Sequence, residues 1–461
     1  MKKIPDTLVI AFSILVVFMI LTWVIPAGEY QRVEKDGRMI VVPGSYQPTQ
    51  QVPQNLGAVL LAPIRGFVSA SEIIGFVLLI GGAFGIINAT GAITASLQSI
   101  IQASANKPYL KKVIIPLVMF VFSLAGATFG MSEENLVFIL ITVPLAISLG
   151  YDSIVGVAIP FIATGAGFAG AFSNPFTIGI AQKIADVPIF SGWEYRLIVW
   201  FLMTVAAIIW VMAYANRVEK NPQYSMMYEI DRTVGWTESA HSAQLEFTFR
   251  RKLVLAIFFI GLILLIVGVS IWDWHINEIA ALFLGMGIAS AIAYRIKLDK
   301  MIDAFIHGAK DMVHASLVIA LSKGILLIAT DGKIIDTILY GVAGLMDGLP
   351  KFVTVEMMFF VQSFLNFFVP SGSGQAALTM PIMAPLSDLL GITRQTAVLA
   401  FQFGDGLSNM FIPTSGVTMG ILAIAKIPYD IWIKWIWKLM LVFFLIAFLC
   451  LIPPVTMFEW T

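Results

Sequence analysis

The sequence has little charge and a single cysteine. Of its 461 residues only 12% are charged while 59% are hydrophobic, and the mean hydropathy is +0.89. Soluble domains carry about 25% charged residues, so a soluble globular protein is excluded. The lone Cys450 excludes an internal disulfide or a cysteine-based metal cluster. Basic and acidic residues number 28 each, so no net basic field favours a nucleic-acid partner.

The residue sets of common enzymes are also missing. No GxxxxGK[ST] loop and no set of nucleophile and base appears. None of the four histidines shows the spacing of metal ligands: His241, His275, His307 and His314. We therefore expect no enzymatic activity and no resident cofactor.

Long apolar runs predict an all-α polytopic membrane protein, because a crossing helix needs about 20 apolar residues. Seven runs suit simple transmembrane helices: 7–26, 71–93, 193–214, 253–272, 276–294, 313–330 and 431–455. Two more runs, 153–187 and 393–427, are interrupted by Gly, Pro, Ser, Thr and Asn, which predicts discontinuous helices and about nine crossings. Run 7–26 exceeds the apolar part of a signal peptide, which favours a retained helix.

Two further apolar pairs flank short polar tips. The pair within 113–149 surrounds GATFGMSEEN, and the pair within 352–390 surrounds PSGSGQAA. Arms of about 15 residues would reach about 22 Å, less than a bilayer core. Both pairs therefore predict re-entrant hairpins. Two ordinary helices with a tight loop are the alternative, and they would leave the sidedness unchanged.

The distribution of basic residues predicts the orientation. With the N-terminus inside, the cytoplasmic side has about twice as many Lys and Arg residues as the outer side. We therefore expect a bacterial cytoplasmic membrane protein with the N-terminus inside and the C-terminus outside. The polar segment 28–55 is then external, and the sequence leaves open whether it is an ordered cap or a loop.

The two halves of the chain are similar to each other. APIRG at 62–66 aligns with AFIHG at 304–308, Pro144 with Pro385, and Pro188 with Pro428. The hairpins would enter from opposite sides, so the repeats are inverted. The predicted division comprises a first helix with the external segment, repeat 1, a cytoplasmic connector, two scaffold helices and repeat 2: 1–54, 55–214, 215–252, 253–297 and 298–455.

Inverted repeats with a broken helix in each half are the architecture of secondary transporters. Energy would come from an ion gradient or from exchange. A channel is the alternative, although rings of charged residues are not evident. Strict gradient-dependent accumulation would distinguish a carrier from a channel.

Charged residues in apolar surroundings are the sharpest candidates. Glu133 and Glu134 at the first tip could hold a coupling ion or a cationic substrate group; alternatively, they cap the helix that follows. Asp405, between two glycines in the second break, has the same two interpretations. Lys323 either neutralises one of these carboxylates or extends to an interface.

Neutral polar residues surround these charges, and their oxygens suit Na⁺ as a coupling ion. For any one of them, helix capping or an interhelical hydrogen bond is an equal alternative. The candidates lie in the two breaks and the second tip: Thr164, Ser173, Asn174, Thr177, Ser408, Asn409, Thr414, Ser415, Ser371, Ser373 and Gln375.

Several motifs resemble those of the YfcC family, which belongs with DcuC-type dicarboxylate carriers and ArcD-type arginine/ornithine antiporters. They are IPAGEY at 25–30, VVPGSY at 41–46, GMSEEN at 130–135, SNPF at 173–176 and PSGSGQAA at 370–377. The resemblance covers nearly the whole chain. It implies an elevator-type member of the ion transporter superfamily, whose relatives are often dimers, so a homodimer is expected.

The resemblance also implies which positions form the site. Tips and breaks hold ions and substrate in that superfamily, which adds Ser132 and Asn135 to the candidates above. The first tip departs from the Ser-Asn-Thr pattern of sodium/dicarboxylate relatives. Two acidic residues repel a dianion and attract arginine or ornithine. We therefore expect a carrier of basic amino acids, with a Na⁺- or H⁺-coupled carrier of small carboxylates as the alternative.

Overall fold

The protein is described here from a computed structural model covering residues 7–35, 38–42, 44–93, 95–96, 99, 108–234, 246–272, 274, 276–344, 349–458 and 460. His241, His275 and the basic residues Lys2, Lys3 and Lys107 lie outside the described residues, as does 235–245 of the predicted connector. Long helices dominate the described part of the chain.

The first half contains helices and short strands in the following order: α1 Thr7–Val24, β1 Gly28–Glu29, β2 Arg32–Lys35, β3 Arg38–Val41, β4 Gln47–Pro48, α2 Leu56–Ser69, α3 Ser71–Ala89, α4 Pro108–Phe129, α5 Asn135–Ser148, α6 Ser153–Val157, α7 Ala163–Ala169, α8 Ile180–Ile184 and α9 Trp193–Lys220.

The remainder is helical: α10 Tyr228–Val234, α11 Phe249–Ile271, α12 Ile276–Tyr294, α13 Leu298–Asp311, α14 Val313–Asp331, α15 Ile335–Gly344, α16 Lys351–Phe368, α17 Gly372–Leu389, α18 Arg394–Ser408, α19 Gly416–Ile424, α20 Tyr429–Leu451 and α21 Pro453–Thr456.

Among the described residues, five helical segments are long and apolar enough to cross a membrane, by length and composition. They are Ser71–Ala89, Trp193–Lys220, Ile276–Tyr294, Val313–Asp331 and Tyr429–Thr456. The predicted runs 7–26 and 253–272 correspond to α1 and α11, which lie close to the expected bounds. The count of nine crossings stays a prediction.

The described part of the chain is mostly helical, as expected, and the segment after α1 is an ordered cap that adds four short strands. Strand β1 pairs with β4 and β2 with β3, both antiparallel. The cap, residues 28–48, is attached to the α14–α15 junction by two ion pairs: Lys333 Nζ to Glu29 Oε2 at 2.9 Å and Arg32 Nη2 to Asp336 Oδ1 at 2.7 Å. Short paired strands form because backbone groups outside the helices still need partners.

The two predicted hairpins appear as helix pairs, and two of their four arms, α4 and α17, are longer than the predicted apolar runs. Helix α4 has 22 residues, α16 and α17 have 18 each, and α5 has 14. The helices extend through polar ends that a search for apolar residues leaves out. At about 1.5 Å per residue, α4 spans about 33 Å, so arm length alone does not require re-entrance.

The runs predicted as discontinuous helices are interrupted. In the first, α6, a π-helical turn Ala158–Ile162 and α7 form one stretch, which ends at Ala169 and continues as a π-helical turn Pro175–Gly179 and α8. In the second, α18 ends at Ser408 and α19 begins at Gly416. Each interruption frees backbone groups that water, side chains or a solute must satisfy.

Two close helix contacts link the halves of the chain reciprocally. Helix α2 packs on α14, and α13 packs on α3. A Cβ atom on Gly66 of α2 would lie 2.0 Å from the Ala320 carbonyl oxygen, and one on Gly308 of α13 would lie 2.1 Å from the Gly81 carbonyl oxygen. Only glycine permits these approaches. Gly66 and Gly308 are also the final residues of the two aligned pentapeptides.

The predicted connector is partly helical. Helix α9 continues to Lys220 rather than ending at 214, and α10 lies against the start of α6. There the Asp231 carboxylate accepts a hydrogen bond from the Ser153 amide at 2.9 Å, and Asp152 caps α6 through the Val155 amide. Burial raises the pKa of Asp231 to about 6, with a smaller contribution from the neighbouring Asp152.

Candidate functional site

The first tip places two glutamates between α4 and α5. Ser132 donates its backbone N–H to Glu134 Oε2 at 2.9 Å, so Glu134 folds back over the tip. Asn135 donates from Nδ2 to the Ser132 carbonyl oxygen at 3.0 Å. Glu134 stands at the N-cap position of α5, but its side chain makes no capping hydrogen bond to that helix, so helix capping does not account for its carboxylate.

Charge at this tip is unevenly balanced. Glu133 and Glu134 are half-buried, and their carboxylates repel each other. Lys323 of α14 lies within electrostatic reach of Glu133, as one interpretation of this lysine required. Among the described groups, the two glutamate carboxylates thus carry two negative charges, and Lys323 supplies one positive charge. The tip is therefore suited to a further cation or proton.

The first break contacts the first hairpin through its backbone. The amides of Phe172 and Ser173 both donate to the Ala127 carbonyl oxygen at 3.3 Å. Asn174 accepts the Phe176 amide at 2.9 Å and so caps the turn that follows. Within the part of the chain that the structure describes, buried Asn174 Nδ2 and Thr177 Oγ1 have no hydrogen-bond partner. These two atoms remain available to a solute or water.

Asp405 is fully buried in the second half. Its Oδ1 accepts a hydrogen bond from Asn409 Nδ2 at 2.9 Å, whereas Oδ2 has no partner among the described residues. Asn366 of α16 donates to the Asp405 carbonyl oxygen at 3.2 Å and to Ser408 Oγ at 2.7 Å. A buried carboxylate oxygen without a donor is costly, so this atom is the second place for a cation or proton.

The second tip meets this carboxylate. A Cβ atom on Gly372, the first residue of α17, would lie 2.7 Å from Asp405 Oδ2 and 2.5 Å from Thr177 Cγ2. Asp405 lies in the last turn of α18, just before the break rather than within it as predicted. The second hairpin, the end of α18 and the first broken helix therefore converge at one point. The positive end of α17 favours the carboxylate there.

The other second-tip candidates have different environments. Ser371 caps α17 by accepting the Gly374 amide at 3.4 Å, and Ser373 is exposed. Gln375 is buried and donates to the carbonyl oxygen and Oε1 of Gln362 at 2.8 and 2.7 Å. Gln375 thus joins the two arms of its hairpin, and Ser373 is not brought to the interior.

A small cavity of about 40 Å³ lies between the first tip and both broken helices. Its polar lining comes from Ser132, Asn135, Thr164 and Asn409. Thr164 Oγ1 donates to Asn135 Oδ1 at 3.1 Å, which links the first broken helix to the hairpin. A cavity of this size holds an ion or a few water molecules rather than an amino acid.

The last two candidates lie at the start of α19. Ser415 caps this helix by accepting the Thr418 amide at 3.4 Å. The buried Thr414 Oγ1 has no partner in the described part of the protein. Ser415 therefore has the capping role that was the alternative for these residues, and Thr414 stays available for a ligand.

The family model for C4-dicarboxylate anaerobic carriers, DcuC, matches residues 4–456. The chain belongs to the DcuC family. It is 39% identical to an Escherichia coli protein named "Putative basic amino acid antiporter YfcC", over 93% of this chain and 92% of that protein. An uncharacterised Haemophilus influenzae protein is 28% identical over 99% of this chain and 97% of its own length. The resemblance to the YfcC family is confirmed.

Two solved structures of transporters cover 98% of this DcuC-family chain at 16% identity. They are the Alcanivorax borkumensis YdaH transporter, with a TM-score of 0.42 and 98% of its chain covered, and Neisseria gonorrhoeae MtrF, with a TM-score of 0.41 and 95% covered. MtrF is described as illuminating a class of antimetabolite efflux pumps. Family membership and the apolar helices together identify an integral membrane transporter.

Some buried polar residues of this DcuC-family protein could not be identified from the sequence. Gln362 was not singled out, since one amide in an apolar helix gives no sign of its partner. Arg196 of α9 was not singled out either, although it is fully buried and donates to Gln395 Oε1 at 3.2 Å. Its position at the beginning of a long apolar run was the one available signal.

Proposed function

We propose that the protein is a secondary transporter of basic amino acids that works by exchange or by coupling to Na⁺ or H⁺. The observation that carries this proposal is the excess of carboxylate at the tips and breaks. Glu133 and Glu134 repel each other and Lys323 acts electrostatically on Glu133, while Asp405 Oδ2 has no partner among the described residues. Such an interior attracts a cationic substrate and repels a dianion.

The packing of the halves supports two inverted repeats. In the aligned segments α2 is equivalent to α13, and α3 is equivalent to α14. The contact of α2 with α14 is therefore equivalent to the contact of α13 with α3, as a twofold relation between repeats requires. We infer alternating access by an elevator-type movement of the hairpins and broken helices. The N-terminus lies inside and the C-terminus outside a bacterial cytoplasmic membrane, and a homodimer forms through the scaffold helices before each hairpin.

The small cavity between Ser132, Asn135, Thr164 and Asn409 supports an ion as co-substrate. Hydroxyl and amide oxygens are suitable ligands for a hard cation, and about 40 Å³ is sufficient for Na⁺ with water. In this proposal the cation site is separate from the groups that receive the amino acid.

The alternative substrate is a C4-dicarboxylate or another small carboxylate. The description of the matching family model favours it. In that case Glu133, Glu134 and Asp405 hold the coupling ion, and the N-terminal ends of α17 and α19 receive the carboxylates. Substrate competition separates the two proposals.

The test is exchange in proteoliposomes loaded with ornithine and supplied externally with labelled arginine. We expect uptake that unlabelled arginine and ornithine inhibit and succinate does not. Glu133→Gln and Asp405→Asn should each reduce the initial rate at least about 100-fold, because each removes a charge from a weakly solvated site. Asp430→Asn, which changes a carboxylate at the start of α20, is the matched control and should exchange normally.

Each outcome selects one interpretation. Na⁺-dependent uptake of succinate that arginine does not inhibit would show that the substrates are small carboxylates rather than basic amino acids. Wild-type rates in both Glu133→Gln and Asp405→Asn would remove the charge argument. Arginine movement that never exceeds its electrochemical equilibrium would indicate a channel.

A further inference from the structure

A second, larger cavity lies between the cap and the second hairpin. Its volume is about 380 Å³, and its lining includes Glu29 and Arg32 from the cap, Lys333 and Asp336 from the α14–α15 junction, and Gly374 from the first turn of α17. Small-molecule sites have volumes of about 300–1,000 Å³. This cap cavity can therefore admit an amino acid, whereas the cavity at the first tip cannot.

The two ion pairs of the cap cavity differ in their exposure. The Asp336 side chain is only 5% exposed, and besides Arg32 it accepts the Tyr30 amide at 2.9 Å. This pair attaches the cap. The Lys333 and Glu29 side chains are 34% and 45% exposed, so their pair is well solvated and weakly held. A ligand with both charges can replace it, since each residue then gains a new partner of the opposite sign.

The floor of the cap cavity favours a carboxylate. Helix α17 has 18 residues and begins at Gly372, and its N-terminal turn faces the cavity through Gly374. The amide of Gly374 donates a long bond of 3.4 Å to Ser371 Oγ. Lys333 lines the same cavity. The Lys333 ammonium group and the positive end of α17 are therefore available to a ligand carboxylate. The Glu29 carboxylate is available to a cationic group of the ligand.

We propose that the cap cavity is a recognition site for a free amino acid, which borders the second tip but is distinct from the first tip and from the breaks. The ligand carboxylate binds Lys333 and the start of α17, its ammonium group binds Glu29, and the Glu29–Lys333 pair opens to admit it. The substrate class rests on the proposed function, while the site itself rests on the cavity and its charges.

The test is isothermal titration calorimetry of the purified full chain with arginine and with agmatine, which lacks the carboxylate. We expect Lys333→Gln to weaken arginine binding about tenfold without weakening agmatine binding, because Glu29 is then free of its lysine partner; Glu29→Gln should weaken both about tenfold. Lys434→Gln is the matched control, since Lys434 pairs with Asp430 at the same 2.9 Å but outside the cavity. It should bind both compounds as the wild type does.

The outcomes separate this inference from the proposed function. Wild-type arginine affinity in both cavity variants overturns the site, as does a wild-type protein that binds neither compound at millimolar concentration. Lys333-dependent binding that persists in Asp405→Asn supports a site distinct from the breaks. A protein that shows this binding but does not exchange arginine in proteoliposomes keeps the site and loses the proposed function.

Discussion

At the scale of single residues, Asp405 is the point where three parts of the chain meet. Its carboxylate lies beside Gly372 of the second tip and Thr177 of the first broken helix. One carboxylate oxygen is held by Asn409, and the other has no partner among the residues described. Protonation or a bound cation at this atom would change how tightly the second hairpin is held, because the α17 N-terminus favours the ionised carboxylate.

The close contact at Gly372 predicts that adding one methyl group there, as in Gly372→Ala, impairs transport. Gly372→Ala would place its Cβ 2.7 Å from Asp405 Oδ2, so the tip must move away. We expect arginine exchange in proteoliposomes to fall at least about tenfold, with the protein still monodisperse in size-exclusion chromatography. Gly341→Ala, where the added Cβ meets no atom within 4 Å, is the control and should transport normally. Normal exchange by Gly372→Ala would show that the closed tip is not required.

The residues differ in how far the sequence could predict their surroundings. Asp405 and the two tip glutamates were evident because charge is rare in apolar runs. The carboxylate on which Lys323 acts could not be chosen from the sequence, since Lys323 and Glu133 lie almost 200 residues apart along the chain. Gln375 was grouped with solute-binding residues, yet it donates to Gln362 within its own hairpin.

At the scale of elements, the connector helix α10 is joined to the first broken helix through buried carboxylates. Asp231 accepts the Ser153 amide, while Asp152 accepts the hydroxyls of Tyr214 and Ser225, both at 2.6 Å. The helix N-terminus favours these charges, but burial opposes them. Because burial raises the pKa of Asp231 to about 6, this contact has a pH dependence of its own.

The sign of that dependence follows from proton binding. An unfolded Asp titrates near pH ~3.9, so between about pH 4 and pH 6 the folded state holds the proton more tightly. The contribution of Asp231 to stability therefore falls as the pH rises through this window. We expect Asp231→Asn to raise the melting temperature in detergent at pH 7.5, by an amount corresponding to at most ~3 kcal/mol, and to change it little at pH 5.

The control for this change is Asp303→Asn, an exposed residue on α13. It should leave the difference in melting temperature between pH 5 and pH 7.5 as in the wild type. A lower melting temperature of Asp231→Asn at pH 7.5 would mean that the ionised carboxylate stabilises the start of α6 more than burial destabilises it.

Elements were predictable where composition changes sharply and less so at their ends. The interruptions at 170–174 and 409–415 follow clusters of Gly, Ser, Asn and Pro, which do not continue a helix. The lengths of α4 and α17 were underestimated because helices continue through polar ends. The cap strands were left undecided because residues 28–48 fold against the α14–α15 junction, a contact distant in sequence.

At the scale of the whole molecule, the cap lies against the α14–α15 junction, and Lys434 belongs to α20, which follows the second break. The distribution of basic residues predicts that the cap lies outside and Lys434 inside. Family membership identifies a membrane transporter without giving this orientation. The single native cysteine makes the orientation directly measurable, since replacing buried Cys450 leaves a chain free of thiols.

In a Cys450→Ala background, Lys333→Cys should react with a membrane-impermeant maleimide in intact cells, and Lys434→Cys should react only after permeabilisation. The cap cavity opens around Lys333, and Lys434 has a 68% exposed side chain, so both thiols would be accessible to the reagent. Protection of Lys333→Cys by millimolar arginine would further connect the cap cavity to the ligand. The reverse labelling pattern would mean that the orientation is opposite to the predicted one. The cap cavity would then face the cytoplasm and bind amino acids before they are exported.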